Sequence, residues 1–263
     1  MVIGTGAVLS RSLIGFVSFC LVLAFASAIG VWYMGPTLAG IALDSESREN
    51  PYYLLHLMVG DAVGPEDAAA ADSAPGYRSA FLTLAAKDGA ELQWRAGQLG
   101  IAEGSPLLAV DQAQLLRFPT GGDLVQMLTG SGYRQLENGL GVPPAQLLGS
   151  LVEPASFPMH GAIVLALLRM KEDVPVAAIG SPNQTGWLAL LDHYDGRVIW
   201  NAPLDAIRGS ESWNRVLALH FPSQAAADAW LADPTTVTER AIAERLIEDA
   251  LLLVANQGVG RSG

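Results

Sequence analysis

The chain of 263 residues is acidic and apolar: it contains 26 Asp and Glu against 15 Lys and Arg, and 51% of its residues are hydrophobic. A net charge of -11 repels phosphate backbones, so we expect no nucleic-acid partner. With Cys20 as the one cysteine, an intrachain disulfide is excluded.

The N-terminal part predicts a membrane anchor. Residues 12–34 have no charged side chain, and as a helix rising about 1.5 Å per residue they are long enough to cross a bilayer. Trp32 and Tyr33, at the far end, are typical of a membrane interface. Arg11 precedes the segment and acidic residues follow it, which places the body of the protein on the outer side.

This reading gives a cytoplasmic N-terminus over 1–11, a transmembrane anchor over 12–34 with the lipid bilayer as its partner, and a linker over 35–50. The alternative is a cleaved signal peptide. Ala26-Ser27-Ala28 has the small-residue pattern of a cleavage site, so cleavage near Ala28 would release the body on the same side of the membrane.

The body of the chain contains a long internal repeat. The stretch from Phe81 to Trp94 returns about a hundred residues later as Trp187 to Trp200. Further on, Phe118-Pro119 returns as Phe221-Pro222. Such a period is too long for a solenoid, and it predicts two tandem small domains over 51–157 and 158–256 with a tail over 257–263.

Each copy predicts the same order of elements. In the first copy these are a strand over 52–59, a helix over 77–87, a strand with Trp94, a strand ending at Pro119, a helix capped by Thr120, and a strand over 146–152. The second copy repeats this order with a helix from Trp187, a strand with Trp200, a strand ending at Pro222, a helix capped by Ser223 that buries Trp230, and a strand over 250–255.

This order is the ferredoxin-like βαββαβ unit, so the expected fold class is α+β. One such sheet carries helices on one face and leaves its other face apolar. We therefore expect the two sheets to pack against each other as an internal pseudo-dimer that closes a barrel-like core. Repeated tryptophans in small domains are more often core than ligand platforms.

The second copy resembles a known family. The residues that carry the resemblance are Phe221, Pro222, Ser223, Ala226, Trp230 and Pro234. They are similar to a small bacterial family of unknown function within the dimeric α/β-barrel superfamily. The family's Glu is His220 here, its Tyr falls at Thr236, and its Arg corresponds to either Arg240 or Arg245. The resemblance implies a bacterial protein, and together with the predicted anchor this gives an inner-membrane protein whose body faces the periplasm.

Four side chains form the candidate ligand-binding site: His56, Arg117, Arg169 and His220. They lie on predicted neighbouring strands, so they would line a polar pocket if they point between the sheets. The alternative is that they lie at strand ends and extend into water. The histidine spacing matches no metal motif, and we expect neither a metal nor a cofactor.

These observations favour a non-catalytic extracytoplasmic module that binds a small molecule or a protein partner. The alternative is a cofactor-free oxidase or isomerase of the dimeric α/β-barrel type, in which the four candidate residues would orient an anionic substrate and move protons. Haem binding is a weaker variant of this alternative, because it would rest on a proximal histidine alone.

Overall fold

The computed structural model describes residues 43, 45–59, 73–97, 99–103, 110–139, 145–171, 187–209, 213–243 and 247–257. All of them belong to one compact unit, Leu43–Gly263. The predicted anchor over 12–34 lies outside the described residues. Among the residues that are described, no helix has both the length and the hydropathy needed to span a bilayer.

In the described residues of its first half, this unit contains five strands and four helices. They are α1 (Ser45–Glu49), β1 (Tyr52–Val59), α2 (Ser73–Lys87), β2 (Glu91–Ala96), β3 (Leu99–Glu103), β4 (Val110–Phe118), α3 (Gly121–Thr129), α4 (Ser131–Gly139) and β5 (Ala145–Ser150).

The second half follows the same order from β1 onwards. It consists of β6 (Gly161–Met170), a 3-10 helix (Trp187–Tyr194), β7 (Arg197–Pro203), β8 (Asp205–Arg208), β9 (Arg215–Phe221), α5 (Gln224–Ala232), α6 (Pro234–Ala243) and β10 (Ile247–Gln257).

The described strands form two antiparallel five-stranded sheets, and each sheet takes one edge strand from the other half of the chain. Sheet 1 has the order β2-β4-β1-β5-β8, and sheet 2 has the order β3-β10-β6-β9-β7. Strand β3 comes from the first half but pairs with β10 of the second, while β8 comes from the second half but pairs with β5 of the first. Each half therefore completes the sheet of the other.

Side chains alternate between the two faces of each strand, as strand geometry requires. Tyr53, Leu55 and Leu57 of β1 belong to one apolar cluster with Ile163 and Leu165 of β6. The cluster contains residues of both sheets, so the expected packing of sheet on sheet is confirmed. We call this face of each sheet its core side, and the opposite face, which carries the helices, its helix side.

The two repeated tryptophans occupy matching places in this core. Trp94 pairs with Leu115 and Trp200 with Ala218, and each follows a one-residue register shift in its strand. Trp94 stacks on Phe157 at a centroid distance of 5.1 Å. Both indoles are buried, which confirms that they are core residues.

The helix caps that the sequence predicts are present in the structure. Thr120 caps α3 in a capping box with Asp123, and Ser223 caps α5 by accepting from the backbone N–H of Ala226 at 3.2 Å. A polar side chain before the first turn satisfies backbone N–H groups that have no partner within the helix. Trp230, predicted as a buried residue of this helix, is fully buried.

One predicted α-helix is wrong. The segment Trp187–Tyr194 is a 3-10 helix of 8 residues, which is long for this type of helix, and Leu191 is still buried. At its end Asp195, with φ of 53°, takes the left-handed conformation that glycine adopts more readily. Gly196 is needed for a different reason, since a Cβ there would lie 2.8 Å from the Phe221 ring.

The glycine that opens β6 gives a first test of the fold. Gly161 has φ of +98°, and a Cβ there would meet the backbone oxygen of Phe221 and lie 2.7 Å from His220 Nε2. We expect Gly161→Ala to destabilise the protein by about 1–3 kcal/mol in urea unfolding, because left-handed backbone is costly for alanine. Gly97→Ala is the matched control, since its Cβ would meet nothing within 4 Å. Equal midpoints for the two variants would contradict the expectation.

Candidate functional site

The most polar part of the buried interior lies on the helix side of sheet 1. His56 is in the middle of β1, where its neighbours Leu55 and Leu57 occupy the core side. Its imidazole packs instead against α2, at 4.3 Å from the Phe81 ring and 6.0 Å from the Tyr77 ring between centroids. The Phe81 ring also meets the Tyr133 ring of α4 at 6.3 Å. The histidine thus lies beneath an aromatic layer.

His56 belongs to a row of residues that are paired in register across all five strands of sheet 1. In strand order, this first-half row is Arg95, Gln114, His56, Leu147 and Arg208. Gln114 lies beside His56 and, like it, is on the helix side, since Ala113 and Leu115 are in the core cluster. Arg208 comes from the second half of the chain, on the exchanged strand β8.

The centre of this row contains polar atoms without partners. His56 is 0% exposed and Gln114 is 1% exposed. Among the residues that the structure describes, both ring nitrogens of His56 and both amide atoms of Gln114 lack a hydrogen-bond partner. Buried polar groups are normally paired, and each exception calls for a ligand, a water molecule or another physical cause.

At the β8 end of the row, side-chain contacts join the two halves of the chain. Arg208 donates from Nη1 to the hydroxyl of Tyr133 at 2.7 Å, and its guanidinium carbon lies 5.8 Å from the centre of that ring. It also forms an ion pair with Glu137 of α4. On the same strand, Asp205 accepts a hydrogen bond of 2.8 Å from the Tyr52 hydroxyl. Strand β8 therefore ties the second half to the site.

Burial favours the neutral forms of His56, Tyr77 and Tyr133. It lowers the pKa of His56 from 6.5 to about 3, and the positive charge of Arg208 adds to this effect. Burial likewise raises the pKa of Tyr77 and of Tyr133 above the ordinary value of tyrosine. At neutral pH the site thus offers an uncharged imidazole, a carboxamide and two phenols, and the charge of Arg208 is matched by that of Glu137.

The centre of the equivalent row in sheet 2 is apolar. The second-half row, in the same strand order, is Asn201, Leu217, Ala166, Leu252 and Glu103. Ala166 stands where the first half has His56, and Leu217 where it has Gln114. Both belong to the apolar cluster beneath the 3-10 helix and α5 and are 0% exposed.

The structure does not bring the four candidate residues together. Arg117 pairs in register with Tyr53, three residues from His56, and lies towards the core side, where it forms an ion pair with Glu91 at 3.7 Å. Because adjacent residues alternate between faces, His56 and Arg117 lie on opposite faces of sheet 1. His56 therefore does not point between the sheets, which was the condition for the four side chains to line one pocket.

The other two candidates lie at the ends of strands in sheet 2. Arg169 forms an ion pair with Asp249 at 3.8 Å and places its guanidinium 5.7 Å from the Trp213 ring centre. His220 is half-buried, and its Nε2 lies 2.9 Å from the backbone oxygen of His160. Their role in ligand binding stays a prediction, but of the four only His56 is part of a fully buried polar cluster.

Sequence reasoning missed Gln114, Tyr133 and Arg208. A polar signal for Gln114 was present, because Gln112 and Gln114 alternate with apolar residues along β4. Arg208 gave no such signal, since β8 is only four residues long.

In the described part of the chain, no group of three or more His, Cys, Asp or Glu side chains could hold a metal ion.

Comparisons with known proteins identify a similar fold but no family. No protein-family model and no curated protein matches the chain. An anthrone oxidase-like protein of known structure is similar at a TM-score of 0.50 and 13% identity, over 81% of this chain and 95% of that protein. This structural neighbour is a dimeric α/β-barrel protein, and the two antiparallel sheets described above are consistent with that architecture.

Two further solved structures are more distant. A protein of unknown function from Rhodopseudomonas palustris matches at 20% identity and a TM-score of 0.34, over 41% of this chain and 86% of that one. A haem-binding protein from Thermus thermophilus matches at 12% identity and a TM-score of 0.33, over 78% of this chain and 90% of that one.

Proposed function

We propose that this chain is a membrane-anchored extracytoplasmic α/β-barrel module that binds a small aromatic molecule on the helix side of sheet 1, without catalysis. The anchor is inferred from the uncharged segment over 12–34. The two halves are inferred to be a tandem duplication. Their common order of elements and the matching register of Trp94 and Trp200 support this origin.

The observation that carries the proposal is the pair of unpartnered, fully buried side chains, His56 and Gln114. Leaving a buried polar group unpaired costs about 1–3 kcal/mol. The fold does not impose this cost, since Ala166 and Leu217 fill the equivalent positions of the second half. A ligand that supplies the missing hydrogen bonds explains why the first half has polar residues there.

The chemistry of the site indicates the class of ligand. A neutral imidazole offers one donor and one acceptor, and a carboxamide offers two donors and an acceptor. The neighbouring rings of Tyr77, Phe81 and Tyr133 favour a flat aromatic partner. The cation of Arg208 is already paired with Glu137. The best match is therefore a neutral ring system that carries hydroxyl or carbonyl oxygens.

The low basicity of His56 disfavours the enzymatic alternative. A general base works best when its pKa is close to the pH of the reaction. With a pKa of about 3, the imidazole is a hydrogen-bonding group at neutral pH and a weak proton acceptor. The likeness to an anthrone oxidase-like protein concerns the fold, and a fold does not carry an activity with it.

Calorimetric titration of the detergent-solubilised full chain with 1-naphthol and with 1,8-dihydroxyanthracen-9-one tests the proposal. We expect His56→Leu and Gln114→Leu each to weaken binding by about tenfold, the equivalent of one lost hydrogen bond. His193→Leu is the matched control, because His193 is exposed on the 3-10 helix. An oxygen electrode monitors turnover of the same compounds.

Two results would contradict the proposal. If neither compound binds the native chain, or if all three variants bind as the native chain does, the site on the helix side of sheet 1 is excluded. Oxygen consumption that depends on His56 would instead favour the cofactor-free oxidase.

A further inference from the structure

A second unpaired group lies in the other half of the molecule. Arg215 is the first residue of β9, where it pairs in register with Leu168 of β6 and with Pro203 of β7. It shares the helix side of sheet 2 with Leu217 and is only 4% exposed. It is thus a nearly buried arginine at the end of a strand.

The hydrogen bonding of this guanidinium is incomplete. Nη2 donates to the side-chain oxygen of Asn201 on β7, whereas Nε has no partner in the described part of the chain. Burial lowers the pKa of Arg215, but a guanidinium remains protonated in proteins. Asn201 uses its oxygen for this contact and keeps its amide N–H groups as further donors.

Among the described residues, Arg215 lacks the ion-pair partner that three more exposed arginines have. Arg117, Arg169 and Arg208 are each paired with a carboxylate, although their side chains are 34%, 30% and 41% exposed. No Asp or Glu among the described residues forms an ion pair with Arg215. Acidic residues outnumber basic ones 26 to 15 in this chain, so the lack of a partner is not a shortage of carboxylates.

The fold does not require a cation at this position. In the first half the equivalent residue is Gln112, which is neutral and accepts a hydrogen bond from Arg78. A buried charge without a partner is strongly unfavourable, and removing its partner from a buried pair is among the most damaging changes known. An external anion would supply the missing charge.

We propose that Arg215 and Asn201 form a binding site for a small carboxylate, separate from the aromatic site of the first half. The unpartnered Nε–H of the guanidinium can donate to one oxygen of a carboxylate, and the amide N–H of Asn201 can donate to the other. A single cation balances one negative charge, which favours a monoanion over a phosphate dianion.

Thermal unfolding of the full chain in detergent, at constant ionic strength in benzoate, phosphate or chloride, tests the site. We expect benzoate to raise the melting temperature of the native chain by about 3 °C relative to chloride, and phosphate to raise it less. Arg215→Gln, which copies the first half, should abolish the benzoate shift. Arg197→Gln is the matched control, because Arg197 is exposed on β7, and it should keep the shift.

Further variants keep the test decisive if Arg215→Gln does not fold. Arg215→Lys keeps the charge but loses the planar fork, so we expect the benzoate shift to fall by about half or more. Titration with 1-naphthol should give the same affinity in all these variants, which separates this site from the aromatic site. No benzoate shift in the native chain, a larger shift with phosphate, or an equal benzoate shift in the Arg215 variants would overturn the proposal.

Discussion

Acidification from about pH 7 to about pH 5 is expected to lower the free energy of unfolding by about 2 kcal/mol through His56 alone. The pKa of His56 is about 3 in the folded protein and 6.5 in an ordinary exposed histidine. Between these values the unfolded chain binds a proton that the folded chain does not. Stability is therefore full above the unfolded pKa and falls as the pH drops towards the folded pKa.

Urea unfolding of the native chain and of His56→Leu at the two pH values measures this effect. The variant removes the titrating group and should lose about 2 kcal/mol less than the native chain on acidification. At neutral pH it should be as stable as the native chain or more stable, because leucine replaces a buried polar group that lacks partners.

His193→Leu is the control for the general effect of removing a histidine, since that side chain is exposed. It should follow the native chain at both pH values. A native chain and a His56→Leu variant with the same pH dependence would show that His56 is not a buried neutral imidazole in solution.

Trp200→Ala is expected to destabilise the protein by about 3–5 kcal/mol in urea unfolding, the range for truncating a large buried side chain. Trp200 is 2% exposed and lies in the core between the two sheets. Its indole N–H also donates to the backbone oxygen of Val152 at 2.9 Å, in the segment that connects β5 to β6. The variant loses the core packing of the indole and also the hydrogen bond that holds this connection.

Trp200→Phe and Trp94→Ala separate the two contributions. The phenylalanine variant keeps most of the apolar volume and loses the hydrogen bond, so we expect a cost of about 1–2 kcal/mol. Trp94 lies in the matching place of the first half and is 6% exposed, so its truncation should also destabilise, within the same range. A Trp200→Ala variant as stable as the native chain would contradict the sheet-on-sheet core.

The repeat is what made the architecture predictable. Trp94 and Trp200, together with the Phe-Pro pairs at the ends of β4 and β9, mark equivalent strands in the two halves, and the caps Thr120 and Ser223 mark equivalent helices. From these marks the sequence predicts two sheets with apolar faces that pack together. The physical reason is that strand ends and helix starts depend on local chemistry.

The pairing of the edge strands depends on distant parts of the chain, and the sequence did not reveal it. Strand β3 contains Gly100, and β8 has only four residues, so neither shows a clear alternation of apolar and polar side chains. Their pairing with β10 and β5 crosses from one half to the other. No local pattern predicts a partner that lies in the other half of the chain.

Only part of the candidate site could be predicted from the sequence, for a related reason. His56 was identified as a buried strand residue, but its face was not, because β1 is apolar along its whole length apart from this position. A strand buried on both faces lacks the polar and apolar alternation that shows which side is which. Gln114 can be assigned to the site only once the register of β1 and β4 is known.

The exchange of β3 and β8 has a consequence for biosynthesis. Ribosomes make the chain from its N-terminus, so β3 emerges long before β10, its hydrogen-bonding neighbour, and β5 emerges before β8. Neither half reaches its final form until β10 has been synthesised. Contacts this distant along the sequence slow folding and prolong the exposure of unpaired strand edges. Nascent chains of this protein should therefore depend on chaperones until β10 has left the ribosome.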